Sequence, residues 1–143
     1  MIRSQRGMTL IEIMIVIAII GGLLAVLGTQ AKNFLDKSKV ENCKIQINEL
    51  GKALDGYSLD CNGYPTTDVG LRALLSNPGE ACPNWGPKPY YSKKDIKDTW
   101  GHQFIYESNG SSYILRSFGR DGKEGGASLD KDISSDELSG TGT

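Results

Sequence analysis

Apolar positions along the chain change their spacing twice, and each spacing predicts a different element. Between Met8 and Gly28 only Thr9 and Glu12 interrupt the hydrophobic residues, and positions 13–28 carry no charge. About 20 helical residues at a rise of ~1.5 Å cross a hydrocarbon layer of ~30 Å. The many Ile and Val residues are compatible with a helix there, because lipid offers the backbone no partner but itself. The pattern predicts one membrane-spanning helix over residues 8–28. From residue 29 to 60 the apolar residues spread out: Val40, Cys43, Ile47, Leu50, Leu54 and Tyr57 recur at spacings of three and four. That is the stripe of an amphipathic helix. It is too short for a convincing coiled coil and is expected to pack on the chain's own sheet. Asp60-Cys-Asn-Gly63 is the predicted stop.

Beyond residue 63 the apolar groups are short and separated by turn formers. Thr66 or Thr67 is expected to cap a short helix whose Val69, Leu71, Leu74 and Leu75 face inward. Residues 76–95 hold four of the five prolines and read as irregular loop. Gln103–Tyr106 and Tyr113–Ser117 read as two short strands, with Ser108–Ser112 as the hairpin turn between them. Trp85, Tyr90, Tyr91 and Trp100 are expected to fill a small core rather than form a binding face. The fold class is therefore α+β: a long N-terminal α-helix packed on a small antiparallel sheet, followed by a loop-rich C-terminal region.

Composition narrows the function. Among 143 residues, 16 are Lys or Arg and 17 are Asp or Glu, a net charge of -1 that disfavours nucleic acid as a partner. One histidine and three cysteines leave little from which to build a zinc site or a histidine-based triad. A membrane-tethered hydrolase would have to use His102, which lies in a turn with no nucleophile motif nearby. No catalytic residue is assigned, and the chain is not expected to be an enzyme. Arg3 and Arg6 could open a secretory signal peptide, but the apolar run is long and no small-residue cleavage site closes it, so a retained anchor is favoured. Lys32, Lys37 and Lys39 after the span nearly balance those arginines, leaving orientation undecided by charge. Glu12 can sit at the membrane interface, or deeper and paired with a cation.

Two clusters carry possible chemistry. Cys61 and Cys82 flank the predicted short helix, and bridging them would close a loop of about 20 residues, a stabilisation of roughly 3 kcal/mol. Three reduced cysteines, or a pairing through Cys43, are the alternatives; Cys43 falls on the apolar stripe and reads as a buried thiol. Near the C-terminus, Asp121, Glu124, Asp130 and Asp132 lie among Gly119, Gly122, Gly125 and Gly126. A hard cation takes carboxylate and main-chain oxygens from such a loop. The spacing is not that of an EF-hand, and the residues alone fit a solvated acidic loop equally well.

Gly7-Met8-Thr9-Leu10-Ile11-Glu12 ahead of the apolar run resembles the processing motif of type IV pilins and pseudopilins. Tyr64-Pro-Thr-Thr, Trp85-Gly-Pro, Asp98-Thr-Trp-Gly101 and Ser117-Phe-Gly-Arg-Asp-Gly, with Asp132-Ile133, extend the likeness over most of the chain to the major pseudopilins of bacterial type II secretion systems. The resemblance implies a type IV pilin-like fold, with residues 1–7 as leader, 8–28 as membrane segment, 29–60 as the rear of the long helix and 61–133 as a periplasmic head. It implies cleavage by a prepilin peptidase between Gly7 and Met8, N-methylation of Met8, and a filament-assembly role for Glu12, whose carboxylate would offset the N-terminus of a neighbouring subunit. The family usually has Phe where Met8 stands, and often a proline where Thr29 stands.

The same resemblance favours Ca²⁺ in the acidic loop, held by Asp121, Asp130 and Asp132 with main-chain oxygens near Phe118 and Ser128. The tryptophan often found beyond Ile133 is absent, so residues 134–143 are expected to be a disordered tail. The implied function is a structural subunit of the pseudopilus, a homopolymer drawn from the inner-membrane bilayer by an assembly platform together with minor pseudopilins, driving folded proteins through the outer membrane. The alternative is a type IV pilin for adhesion, twitching or DNA uptake, which shares everything up to residue 60.

Overall fold

A computed structural model describes residues 7–140. The chain forms two compact units, divided between Asp36 and Lys37. Helix α1, Leu10–Cys61, contributes to both. Its start is set by Thr9, whose carbonyl accepts the Glu12 and Ile13 N–H groups. No break occurs at Gly28–Thr29; the Thr29 hydroxyl donates to the Val26 carbonyl at 2.9 Å, a back-bond threonine makes without leaving the helix. The helix ends where the turn residues predict. Asn62 takes a left-handed φ of 58°, and the Gly63 N–H returns to the Ser58 carbonyl at 3.2 Å, the long bond of a Schellman cap.

In the first unit the apolar side chains of α1 face outward: Leu10, Ile17, Leu24 and Phe34 are each more than 60% exposed. The second unit has a core. Cys43, Ile47, Leu50, Leu54 and Tyr57 are buried, together with Ala53, and Val40 packs at the edge of the same cluster. The predicted stripe is the observed one. It shares its cluster with Leu74, Tyr91, Phe104, Leu115 and Ile133, so helix, loop and sheet contribute to one interior.

The sheet has three antiparallel strands in the order β1 (Ile105–Ser108), β2 (Tyr113–Ser117) and β3 (Ile133–Ser134). Register pairs Ile105 with Arg116 and Ser108 with Tyr113, then Arg116 with Ser134. β1 lies two residues later than the apolar pattern predicts. Ser108 belongs to the ladder because Thr67 clamps it from outside: Ser108 N–H donates to the Thr67 hydroxyl at 2.9 Å, and Thr67 N–H and hydroxyl both donate to the Ser108 carbonyl. The turn proper is Asn109–Ser112, where the Asn109 side-chain oxygen accepts the Ser111 and Ser112 N–H groups. The Thr67 hydroxyl is thus not a helix cap, and neither is that of Thr66. The short helix is a 3-10 turn, Leu71–Leu74, preceded by Gly70 with no side-chain capping bond.

The expected disordered tail, 134–143, needs correction. Ser134 is buried in β3, and Ser135–Ser139 form a one-turn helix, α2. Ser135 Oγ accepts the Leu115 N–H at 3.0 Å, capping a part-buried donor of β2 beyond the end of its ladder with β3. Leu138 packs against the core cluster. The Ser134 hydroxyl donates to the Asp136 carboxylate, which holds that carboxyl below the usual carboxylate range. Residues 141–143 lie outside the described part.

Candidate functional site

Three places carry the residues singled out by sequence. At the front, Gly7, Met8 and Thr9 precede α1 and are exposed; a Cβ built on Gly7 meets nothing within 4 Å. Met8 is 70% exposed. Arg3 and Arg6 fall outside the described residues. Glu12 stands in the first turn of α1, where a carboxylate faces the positive end of the helix dipole. Within this unit none of the apolar window is covered by the chain itself, and α1 is long and apolar enough to cross a membrane.

The second place is the junction of α1 with the proline-rich loop. Cys61, the last residue of α1, is disulfide-bonded to Cys82, with Cα atoms 5.0 Å apart. Cys43 is a buried free thiol, and burial pushes its pKa up. The aromatic residues around the bridge fill the interior. Trp85 Nε1–H donates to the Ala73 carbonyl at 2.7 Å, and the Tyr90 hydroxyl donates to Asp60 Oδ2 at 2.6 Å while packing edge-on against Tyr57 and Trp85.

The acidic loop, residues 118–132, hangs between β2 and β3. Its base is a buried polar knot that sequence reading missed. Asp98 has a fully buried side chain. Its Oδ1 accepts the Trp100 and His102 N–H groups at 3.0 and 2.8 Å, and its Oδ2 accepts the Ser117 hydroxyl at 2.6 Å. Ser117 Oγ accepts the Gly119 N–H, and His102 Nδ1 lies 3.2 Å from the Gly119 carbonyl. The available signal was the Asp98-Thr-Trp-Gly101 run, an aspartate two residues ahead of an N–H it can accept.

Two glycines allow the loop to close. Gly119, at φ 68°, lies where a Cβ would come within 2.9 Å of the Lys131 carbonyl oxygen, and a Cβ on Gly126 would collide with the Asp130 carbonyl. Within this wrapping the three aspartates are each engaged separately. Asp121 Oδ1 accepts the Lys123 N–H at 3.1 Å, and both oxygens of Asp132 accept the Gly125 N–H, at 3.1 and 3.0 Å. Asp130 receives the Arg120 guanidinium at both oxygens. The oxygen-only donors and the glycine cradle suit a hard cation in kind. Among the described residues, however, no three acidic, histidine or cysteine side chains converge as a metal-binding group. Ser128, at φ 57°, sits in the segment facing Arg120, and Phe118 is half-buried at the loop's entrance.

Comparison with known proteins matches this arrangement twice. Residues 2–28 match the prokaryotic N-terminal methylation motif, which defines the class: a chain carrying that motif at the head of an apolar helix. Residues 30–136, which hold nearly all of the second unit, match the family model of type II secretion system protein G. The chain is 42% identical to the type II secretion system core protein G of Pseudomonas aeruginosa over 92% of its length and 94% of that protein. Identity to the Vibrio cholerae protein of the same name is 37%, over 92% and 91%. The crystal structure of the major pseudopilin from the type 2 secretion system of enterohaemorrhagic Escherichia coli matches with a TM-score of 0.62 at 32% identity, covering 74% of this chain and 89% of that one. The chain belongs to the type II secretion system protein G family.

Proposed function

We propose that the chain is the structural subunit of a type II secretion pseudopilus, a periplasmic helical filament whose growth drives folded proteins across the outer membrane. The observation that carries this reading is the family match over 30–136, since the anchor alone would equally suit a type IV pilin. In this reading a prepilin peptidase cuts between Gly7 and Met8, and Met8 is methylated. The cut removes Arg3 and Arg6, so the uncharged stretch of α1 is left with Glu12 as its acidic group and a new N-terminus beside it. The exposed apolar surface of the first unit is covered by the inner-membrane bilayer before assembly and by the same surface of sister subunits afterwards. Glu12 then offsets the N-terminus of a neighbour, since either charge left unpaired in a low dielectric is costly.

The head works in the periplasm, where an oxidising environment suits the Cys61–Cys82 bridge. The assembly platform and minor pseudopilins are the partners that start and extend the filament, nucleic acid has no part in it, and no residue performs catalysis. Asp121, Asp130 and Asp132, with the carbonyls of Phe118 and Ser128, hold Ca²⁺ in the acidic loop. Bound there, the ion would supply positive charge that ties β2 to β3 from outside the core. The supporting observations are the oxygen-only donor set and the two glycines that let the main chain wrap closely.

Processing is tested by the intact mass of the protein extracted from the inner membrane. The expected chain begins at Met8 and carries one added methyl group. A chain retaining residues 1–7, or one cut behind residue 28, would contradict the reading.

A further inference from the structure

The outer edge of β1 is closed at both ends and open between them. At one end Thr67 meets the Ser108 N–H with its hydroxyl and the Ser108 carbonyl with its N–H. At the other, Gln103 is bridged antiparallel to Lys97. Main-chain groups of an antiparallel strand point by turns to one neighbour and then the other. Ser108 points outward, so Tyr106, two residues earlier and opposite Leu115, points outward too. Leu115 agrees, since its own N–H turns away from β1 to Ser135. Among the described residues no other segment pairs with the Tyr106 main chain on that edge.

This gap lies in an open cleft of about 680 Å³, lined by the 3-10 turn, residues 94–96 and the approach to β1. Its floor is apolar: Leu71, Leu75 and Ile96 are half-buried and Phe104 is buried. Its rim is cationic. Arg72 and Lys94 are exposed and have no ion-pair partner among the described residues, whereas the nearby Lys93 is paired with Glu49. Asp95, the acid of the lining, is met by Lys97 at 2.9 Å.

We infer that this cleft is a strand-addition site for a short, extended, acidic segment of another protein. An added strand bonds a sheet edge through its main chain, and pockets for alternate side chains give it specificity. Here the Tyr106 N–H and carbonyl set the register. Successive side chains of a strand point to opposite faces, so every second residue of the segment drops onto the apolar floor. The residues between carry carboxylates to Arg72 and Lys94. A basic segment offers the same main-chain bonds but brings like charge against both cations, so charge discriminates between strands that pair equally well. Closure at Ser108 and Gln103 keeps the added strand short and prevents open-ended edge pairing. The site lies wholly in the second unit and does not depend on the filament reading.

The test uses the full chain in non-ionic detergent micelles and a fluorescent acetyl-Glu-Val-Glu-Val-Glu amide peptide, with binding read by anisotropy. Saturable binding is expected, weakened roughly two- to five-fold by Arg72→Gln and by a similar factor by Lys94→Gln, each losing one exposed ion pair. Exchange of the Tyr106 N–H, fast on an open edge, should slow when the peptide is bound. Both substitutions are at exposed positions, and an unchanged melt confirms that the variants fold. No binding at about 1 mM peptide would overturn the proposal. So would equal binding of the lysine-for-glutamate peptide, or equal binding of the acidic peptide N-methylated throughout. If the two variants disperse oligomers of the chain while peptide binding stays the same, the cleft holds a second copy and the proposal fails.

Discussion

Asp98 shows how much a single carboxylate can organise. It sits with its side chain fully buried, and its charge is met by two main-chain N–H groups and the Ser117 hydroxyl. Removing it leaves those donors unpaired in a closed interior, where hydrogen bonds to charged groups are worth roughly 1.5–3 kcal/mol. Asp98→Ala is therefore expected to lower head stability by about 2–4 kcal/mol, read as the denaturant midpoint. An unchanged midpoint would show that the knot at the base of the acidic loop is not structural. Tyr113 offers a pH readout. Burial first, and then the charges of Asp55, Tyr64 and Tyr106, push its pKa up to about 12. A raised pKa means the unfolded chain loses the proton first, so this stabilisation is complete below pH ~10 and is lost as pH rises through about 12. Tyr113→Phe should flatten the fall in melting temperature between pH 10 and 12. An equally steep fall in the variant would assign it to other groups.

At the scale of elements, the legible parts were those written in local spacing. The Cys43–Tyr57 stripe and the Asp60–Gly63 stop both appear where the pattern puts them, because a helix face and an αL cap depend on residues three or four apart. Partners distant in sequence were not legible. Ser108 joins β1 because Thr67, 41 residues away, satisfies both its main-chain groups. The last segment reads as disordered because the tryptophan often found beyond Ile133 is absent, yet Ser135 accepts the Leu115 N–H and Leu138 packs against the core. Deleting residues 134–143 removes Ser134 from β3, the Ser135 bond to Leu115 and Leu138 from the core; it should cost at least about 1–3 kcal/mol, whereas a free tail would cost nothing measurable in the same melt. Cys82→Ser removes a crosslink spanning 21 residues and should cost roughly 3 kcal/mol. An identical melt with and without reductant would argue against the bridge.

For the molecule as a whole, the acidic loop shows why residues recognisable in sequence do not disclose their partners. Asp121, Asp130 and Asp132 are recognisable by type and order, but Arg120, whose guanidinium meets both oxygens of Asp130, is one charge among many until the fold brings it across. The front of α1 poses the opposite case: its apolar surface is plain in sequence and stays plain in structure, because its partners are not in this chain. Glu12→Gln should leave head melting unchanged and abolish filament incorporation, measured by crosslinking of subunits in membranes; normal incorporation would remove the assembly role. The most direct measurement is export itself. In a strain lacking this gene, folded type II substrates should accumulate in the periplasm while surface pili remain, and the intact chain should restore their release. Unimpaired export with loss of surface pili would contradict the account.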